Sequence, residues 1–134
     1  NGWNTVKNKQ FLSDIISEFK SNNIRTSIFV NPEIDMIEGA KLCGADRIEL
    51  YTESYANLYE RDKNLAIHPF KEAAEMAFSL EIGVNAGHDL NLNNLHFFNA
   101  EIKNLLEVSI GHAIISDAIY FGLENTIQLY KRQL

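Results

Sequence analysis

The sequence contains only one cysteine, Cys43, among its 134 residues, and this scarcity restricts the possible structures. A single cysteine excludes an internal disulfide, and such usage is typical of a reducing compartment. Cys43 lies in the run Ala40–Gly44, which is predicted to end a buried helix, and a cysteine there behaves as a small hydrophobic residue. No activating base is visible beside it. We therefore expect a cytoplasmic protein in which Cys43 belongs to the core.

Long hydrophobic runs and an excess of positive charge are also missing. No apolar run approaches the ~20 residues that a membrane-spanning helix needs, and no signal-peptide pattern opens the chain. Lysine and arginine number 12 against 18 aspartate and glutamate residues, for a net charge of −6. A nucleic-acid-binding surface would be basic. The sequence therefore predicts neither a membrane partner nor a nucleic-acid partner.

What the chain does contain is a globular composition, 46% hydrophobic and 22% charged, of a length suited to one domain. Hydrophobic periodicity predicts one helix followed by four strand–helix repeats. The predicted helices are 4–23, 31–44, 65–80, 91–99, 113–120 and 123–134, and the predicted strands are 26–30, 47–51, 82–85 and 105–110. Such repetition indicates an α/β fold with a parallel sheet and right-handed crossovers.

Proline and polar residues in the sequence predict the ends of two helices and the largest loop. Asn31 and Pro32 are predicted to cap and begin the second helix. Residues 52–64 are predicted to form a polar loop, and Pro69 is expected in the first turn of the helix that follows it. His68, beside this proline, is expected to cap that helix.

Four strand–helix units can form either a small doubly wound sheet or half of an eight-stranded barrel. A strand of an open parallel sheet is covered on both faces and is apolar throughout. Glu49, in the middle of a predicted strand, fits better inside a barrel near its catalytic mouth. The loop-like first residues also suggest that further strands precede residue 1. Because half a barrel leaves two open edges, we expect more chain, or a partner, to complete it.

Three places on the chain could carry chemistry. His88 and Asp89 directly follow a strand end, where α/β folds bind ligands, and a histidine there can donate a proton. Gly111 and His112 open a helix whose free N–H groups can bind phosphate. Glu49 can stabilise positive charge or accept a proton. The alternatives are a surface or capping role for His88, an ordinary tight turn at Gly111, and an ion pair with Arg47 or a lysine, or simple solvation, for Glu49.

A metal site is not predicted. His88, Asp89, His96 and His112 are the possible ligands, but their spacing matches no strong metal-binding motif. The single tryptophan and the tyrosine pairs are expected to serve in packing.

At these motifs the chain resembles the pyridoxine 5′-phosphate synthase family of vitamin B6 biosynthesis. The resemblance rests on Val84-Asn85-Ala86-Gly87-His88 and on the later run Ser109-Ile110-Gly111-His112-Ala113-Ile114-Ile115. It continues upstream through Ser27–Val30, Gly44–Leu50 and Tyr55-Ala56, and so runs in register along almost the whole chain. Together these motifs are specific, although each alone would be weak.

The resemblance implies a TIM (β/α)8 barrel with extra helices that assembles as a homo-oligomer. Residues 1–134 would be the C-terminal half of this single domain and supply about the last four βα units. The family condenses 1-deoxy-D-xylulose 5-phosphate with 3-amino-2-oxopropyl phosphate, releasing water and phosphate. It needs no metal or organic cofactor. Other catalytic residues lie on strands that are absent here, so this chain alone is expected to be inactive.

The resemblance also implies roles for individual residues. Glu49 matches the glutamate that stabilises the transition state, and His88 matches the proton donor. Gly111 and His112 match the pair that binds the phosphate of the aminoketone. Asp89 stands where the family usually has glycine, and it is assigned a backbone contact to the substrate.

Two other functions remain as alternatives. One is a different phosphate-binding barrel, an isomerase or an aldolase, although a Schiff-base aldolase would need a strand-end lysine that none of the predicted strands supplies. The other is a non-catalytic α/β binding module, which would be a self-contained monomer at this length.

Overall fold

The computed structural model describes residues 1–134 as four strands and seven helices, with one or two helices after each strand. The elements in chain order are α1 (Lys9–Ser21), β1 (Ser27–Val30), α2 (Ile34–Leu42), β2 (Arg47–Tyr51), α3 (Glu53–Tyr59), α4 (Lys63–Ser79), β3 (Gly83–Gly87), α5 (Leu95–Glu101), β4 (Leu105–Ser109), α6 (His112–Phe121) and α7 (Leu123–Lys131). The predicted α/β class and the four βα units are confirmed.

The order of the strands decides between the two predicted architectures. The sheet runs β1-β2-β3-β4, and each neighbouring pair is parallel. A doubly wound sheet would change direction at a switch point and place non-consecutive strands side by side. Consecutive order throughout is instead the connectivity of a (β/α) barrel. The sheet is not closed, because β1 and β4 each have one edge without a neighbour.

The two faces of the sheet differ sharply in burial. Ile48 and Leu50 of β2 are fully buried under the helices, while Arg47, Glu49 and Tyr51 between them are only partly buried. Because successive side chains of a strand point to opposite faces, the helices cover one face only. The uncovered face also carries Ser27, Phe29, Glu107 and Ser109.

Each helix that leads into a strand is followed by a residue in the left-handed region. These residues are Asn23, Gly44, Glu81 and Asn104, with φ of 59°, 85°, 54° and 63°. After α4, for example, the Ile82 N–H donates back to the Ala77 carbonyl at 3.0 Å. This bond satisfies a carbonyl at the helix end and turns the chain toward the next strand.

The prediction of a loop at residues 52–64 is wrong, because most of this segment is helical. Tyr55 of α3 is fully buried, and its burial fixes this short helix against α4. Asp62 then caps α4 by accepting from the N–H groups of Asn64 and Leu65, at 3.0 and 2.9 Å. Pro69 consequently lies well inside α4, not in its first turn.

Three smaller predictions also need correction. The second helix begins at Ile34, and Asn31 does not cap it, because the Asn31 side chain accepts from the Gly2 N–H at 3.1 Å. His68 lies within α4 and faces Glu72 at 3.7 Å, so it caps nothing. The third strand extends to Gly87, although His88 still follows it directly.

Cys43 occupies the predicted position in the core. It ends α2 with only 4% of its surface exposed, and its thiol lies against the carbonyls of Thr5 and Lys9.

As for membrane insertion, none of the helices combines the length and the apolar character that crossing a bilayer requires.

Candidate active site

A cleft of about 500 Å³ opens on the uncovered face, at the carboxyl ends of the strands. Its lining contains all five residues that the sequence singled out, namely Glu49, His88, Asp89, Gly111 and His112, together with Phe29, Ser109 and Ile110. These residues come from four strands or the loops after them. The parallel sheet therefore brings the separate motifs to one place.

Glu49 lies in the middle of β2, next to Phe29 on β1 and Asn85 on β3. Its Oε2 accepts a hydrogen bond of 3.4 Å from the Ser109 hydroxyl. Gly87 leaves the space that the carboxylate occupies, since a Cβ at this position would collide with Glu49 Oε1. Burial raises the pKa of Glu49, the Ser109 bond opposes the rise, and the negative charge of Glu107 adds to it.

The expected alternative, an ion pair between Glu49 and Arg47, does not form. Arg47 donates to Glu107 at 2.7 Å and to Asn85 at 3.1 Å, and Arg25 approaches Glu107 at 3.4 Å. Both nearby arginines are thus paired with Glu107 on the same face, and neither is left to pair with Glu49. A partly desolvated carboxylate without a cation interacts strongly with any positive charge that enters the cleft.

The backbone around His88 is held from both sides. The carbonyl of Gly87 accepts from the Thr52 hydroxyl at 2.8 Å and the Thr52 N–H at 3.2 Å, and the His88 N–H donates to the Ser109 carbonyl at 3.3 Å. His88 has a φ of 104°, which is uncommon for a residue with a side chain. Strained backbone of this kind concentrates at functional sites.

The ring of His88 has two neighbours. It meets the Tyr51 ring edge to face, with centroids 5.1 Å apart and planes at 87°. Its Nδ1 lies 2.9 Å from Oδ2 of Asp89. The Nε2 atom makes no hydrogen bond with the chain, so this nitrogen is free for a substrate.

A buried asparagine supports the loop that carries His88 and Asp89. Asn94 donates from its amide to the Asp89 carbonyl at 3.3 Å and accepts from the Asn91 N–H at 2.8 Å. The Tyr55 hydroxyl donates to the Asn94 carbonyl at 2.7 Å. Burial raises the pKa of Tyr55, so it remains protonated as the donor. The loop is thereby tied to α3.

The third part of the cleft is the beginning of α6. Gly111 is the N-terminal flanking residue, His112 is the first helical residue, and no side chain caps the helix. The first N–H groups of such a helix lack partners and carry the positive end of its dipole. A Cβ added at Gly111 would have no neighbour within 4 Å, so the space in front of the helix is open. This arrangement can hold an anion.

The sequence alone predicted no role in the site for the residues that support it, namely Ser109, Thr52, Asn94 and Tyr51. Ser109 and Thr52 were detectable in principle, because a hydroxyl residue directly at or after a strand end is placed to bond its neighbours. Asn94 and Tyr51 had no such signal, since their contacts depend on how separate loops pack.

The remaining histidines lie elsewhere. His96 is exposed on α5, and His68 lies on α4. No three histidine, cysteine, aspartate or glutamate side chains come together in a way that could hold a metal ion.

The fold and the cleft together define a class: an α/β protein of the (β/α) barrel type, with ionisable side chains and an uncapped helix start at its strand ends. Comparison with protein families then identifies the chain more closely. It belongs to the family described as pyridoxal phosphate biosynthesis protein PdxJ, whose model matches residues 1–134. The family resemblance inferred from the motifs is thus confirmed.

Three curated relatives illustrate the match, and all are named pyridoxine 5′-phosphate synthase. The chain is 54% identical to the protein of Flavobacterium johnsoniae over 133 residues, and 56% identical to that of Cytophaga hutchinsonii over 133 residues. These alignments cover 99% of this chain and 56% of each relative. Identity to the Parabacteroides distasonis protein is 58% over 130 residues, 97% of this chain and 55% of that protein. The chain spans about half the length of these relatives.

Proposed function

We propose that this chain is the C-terminal half of a pyridoxine 5′-phosphate synthase. The reaction would condense 1-deoxy-D-xylulose 5-phosphate with 3-amino-2-oxopropyl phosphate and release pyridoxine 5′-phosphate, phosphate and water. The observation that carries the proposal is the meeting of Glu49, His88 and the start of α6 in one strand-end cleft. The names of the relatives give the product, and the resemblance to the family supplies the two substrates.

Each part of the cleft has a task in this reaction. The open start of α6, at Gly111 and His112, binds the phosphate of the aminoketone through backbone N–H groups. Glu49 stabilises the cationic, imine-like states that form when the amine attacks the ketone carbonyl and water leaves. His88 donates a proton to a departing oxygen, which would otherwise leave as hydroxide. The backbone of Asp89 contacts the substrate beside it.

We also propose that residues 1–134 are half of a single TIM-barrel domain, completed by four further strands. In support, the uncovered face of the sheet carries partly buried residues such as Phe29 and Tyr51, which an opposite barrel wall would enclose. Apolar side chains are exposed at the flank of α6, where 78% of Ile119 and 84% of Tyr120 are accessible. Such surface is unusual for a self-contained module. The complete protein is proposed to assemble as a homo-oligomer that acts in the cytoplasm.

The two alternatives fit the structure less well. A Schiff-base aldolase would need a lysine in the cleft, and its lining contains none. A free-standing binding module would be expected to cover both faces of its parallel sheet, whereas here one face is open.

The test uses the full-length protein that contains this chain, with the His88→Ala variant. Turnover of the two phosphorylated substrates should fall by about 10²–10⁴-fold, as expected for loss of a general acid. Binding of the aminoketone phosphate, measured by calorimetry, should change little. The matched control is His96→Ala on α5, outside the cleft, which should retain activity. Near-normal turnover in His88→Ala, or failure of the unaltered protein to form pyridoxine 5′-phosphate, would refute the assignment.

A further inference from the structure

The side chain of Asp89 is placed unusually for a residue beside a phosphate-binding site. A carboxylate near the anion-binding start of α6 would repel a phosphate if it pointed toward it. The Asp89 carboxylate is instead engaged by its neighbour, since Oδ2 lies 2.9 Å from Nδ1 of His88. A substrate-binding role through the backbone therefore leaves the purpose of this side chain unexplained.

The contact is built on backbone that is fixed at several points. The carbonyl of Asp89 accepts from Asn94, and Leu90, which follows, is fully buried. On the other side, the His88 N–H is bonded to Ser109. With both peptide units held, the two neighbouring side chains meet without needing to order a flexible loop.

The geometry also determines which ring nitrogen is available. An imidazole whose Nδ1–H donates to a carboxylate is held in one orientation and one tautomer, with Nε2 left for chemistry. Tyr51 packs edge to face on the same ring and restricts its rotation further. The ionisable side chains that line the same cleft as the ring are those of Asp89, Glu49 on β2 and His112 on α6.

We propose that Asp89 is a positioning residue, which orients His88 through the Nδ1 hydrogen bond so that Nε2 is the proton-donating atom. The inference rests on the proposed function in taking His88 as the general acid. During the reaction the Nε2–H bond breaks as the proton passes to the leaving oxygen, and the imidazole remains bonded to Asp89 through Nδ1–H. The ring that donates this proton carries hydrogens on both nitrogens, and the Asp89 carboxylate accepts the Nδ1–H hydrogen bond before and after the transfer.

The experiment compares Asp89→Asn and Asp89→Glu in the full-length protein. Asp89→Asn should lower kcat by about 10- to 100-fold, less than removal of the acid itself, with KM for the aminoketone phosphate changed less than about threefold. Asp89→Glu should recover part of kcat, because it restores a carboxylate within reach of Nδ1. The matched control is Asp14→Asn, on the exposed surface of α1, which should leave kcat unchanged.

A second readout is independent of turnover. In protein with ¹⁵N-labelled histidine, the ring signals of neutral His88 should show the Nδ1–H tautomer, and Asp89→Asn should shift the ring toward Nε2–H. A purely structural role would lower the thermal midpoint without changing the tautomer. An unchanged tautomer and kcat, or a rise in KM alone, would overturn the inference.

The two readouts separate this inference from the proposed function. If the unaltered protein lacks synthase activity but the tautomer responds to Asp89→Asn, the proposed function is wrong and the Asp89–His88 pairing holds. If activity is present and neither readout responds, the pairing is wrong and the function holds.

Discussion

Among the residues of the uncovered face, Glu49 stands out because it lacks a cation. Its neighbour Arg47 is taken by Glu107 and Asn85, and its only polar partner is the Ser109 hydroxyl. The Glu49 carboxylate can therefore interact with a cationic substrate without first breaking an ion pair. It also carries a cost in the free protein, because burial opposes its ionisation and raises its pKa.

This cost leads to a pH-dependent prediction for Glu49→Gln. A carboxyl whose pKa is higher in the folded than in the unfolded chain stabilises the fold when protonated, and this contribution is lost as pH rises through the folded value. The variant should therefore be more stable than the unaltered 134-residue chain at pH 7. Its advantage should shrink as pH falls to the usual glutamate value of 4.5. Thermal midpoints between pH 4 and 7 provide the measurement, with the exposed Glu38→Gln as control. A Glu49→Gln advantage that grows toward low pH would contradict the argument.

Two kinds of helix terminus organise this fold. Helix starts face the strand ends where the cleft lies, and helix ends turn into the next strand through a left-handed residue. We propose that the start of α6 binds an anion, whereas the helix ends direct the chain into the next strand. Each can be tested by a change at a single position.

The start of α6 is tested by Gly111→Ala. The φ of Gly111 is −109°, which alanine also adopts, and nothing lies within 4 Å of the added Cβ. The thermal midpoint should therefore change little. The methyl group would occupy the space in front of the helix, so affinity of the full-length protein for inorganic phosphate should fall by about tenfold, as measured by calorimetry. Unaltered phosphate affinity would show that the anion binds elsewhere.

The end of α4 is tested by Glu81→Gly. Glu81 has a φ of 54°, which costs a residue with a Cβ about 1 kcal/mol relative to glycine. Its exposed side chain makes no hydrogen bond, and its carbonyl contact with Lys41 belongs to the backbone. Glycine should therefore raise the free energy of unfolding by up to about 1 kcal/mol. Urea denaturation of the full-length protein that contains this chain measures this change.

The comparison for Glu81→Gly is Glu75→Gly, in the middle of α4. There the same substitution should destabilise the chain by about 1 kcal/mol, because glycine is unfavourable within a helix. Equal effects at both positions would show that backbone conformation is not the cause.

At the scale of the whole molecule, the open sheet is the main feature. Two unpaired strand edges and an uncovered inner face describe an arc of a barrel. Exposed edges and apolar flanks favour association with other chains. The activity of the chain is therefore expected to depend on the segment that closes the arc.

This dependence can be measured by complementation. The 134-residue chain alone should show no synthase activity and should self-associate in size-exclusion chromatography with light scattering. Co-expression with the preceding half of a full-length relative should yield a defined complex and restore turnover. The same complex carrying His88→Ala should remain assembled but inactive. A monodisperse, active 134-residue monomer would contradict the half-barrel proposal.

The sequence by itself determined the α/β class, the four βα units, the family and five of the eight residues that line the cleft. Strand–helix periodicity is a local property of the chain, and the motifs around His88 and Gly111 lie within single segments. Local patterns failed where burial overrode them. Residues 53–59 are helical because Tyr55 packs in the interior, although their composition is that of a loop.

Only the tertiary structure decided how the segments meet. The consecutive strand order excludes a doubly wound sheet. The family resemblance implied this order, but hydrophobic periodicity alone could not reveal it, because the pairing of strands is a long-range property. The same is true of Arg47, which pairs with Glu107 on a strand far along the chain and so leaves Glu49 without a cation. The hydrogen bond between His88 and Asp89 joins adjacent residues, yet it depends on a backbone conformation that Thr52, Ser109 and Asn94 hold from three other segments.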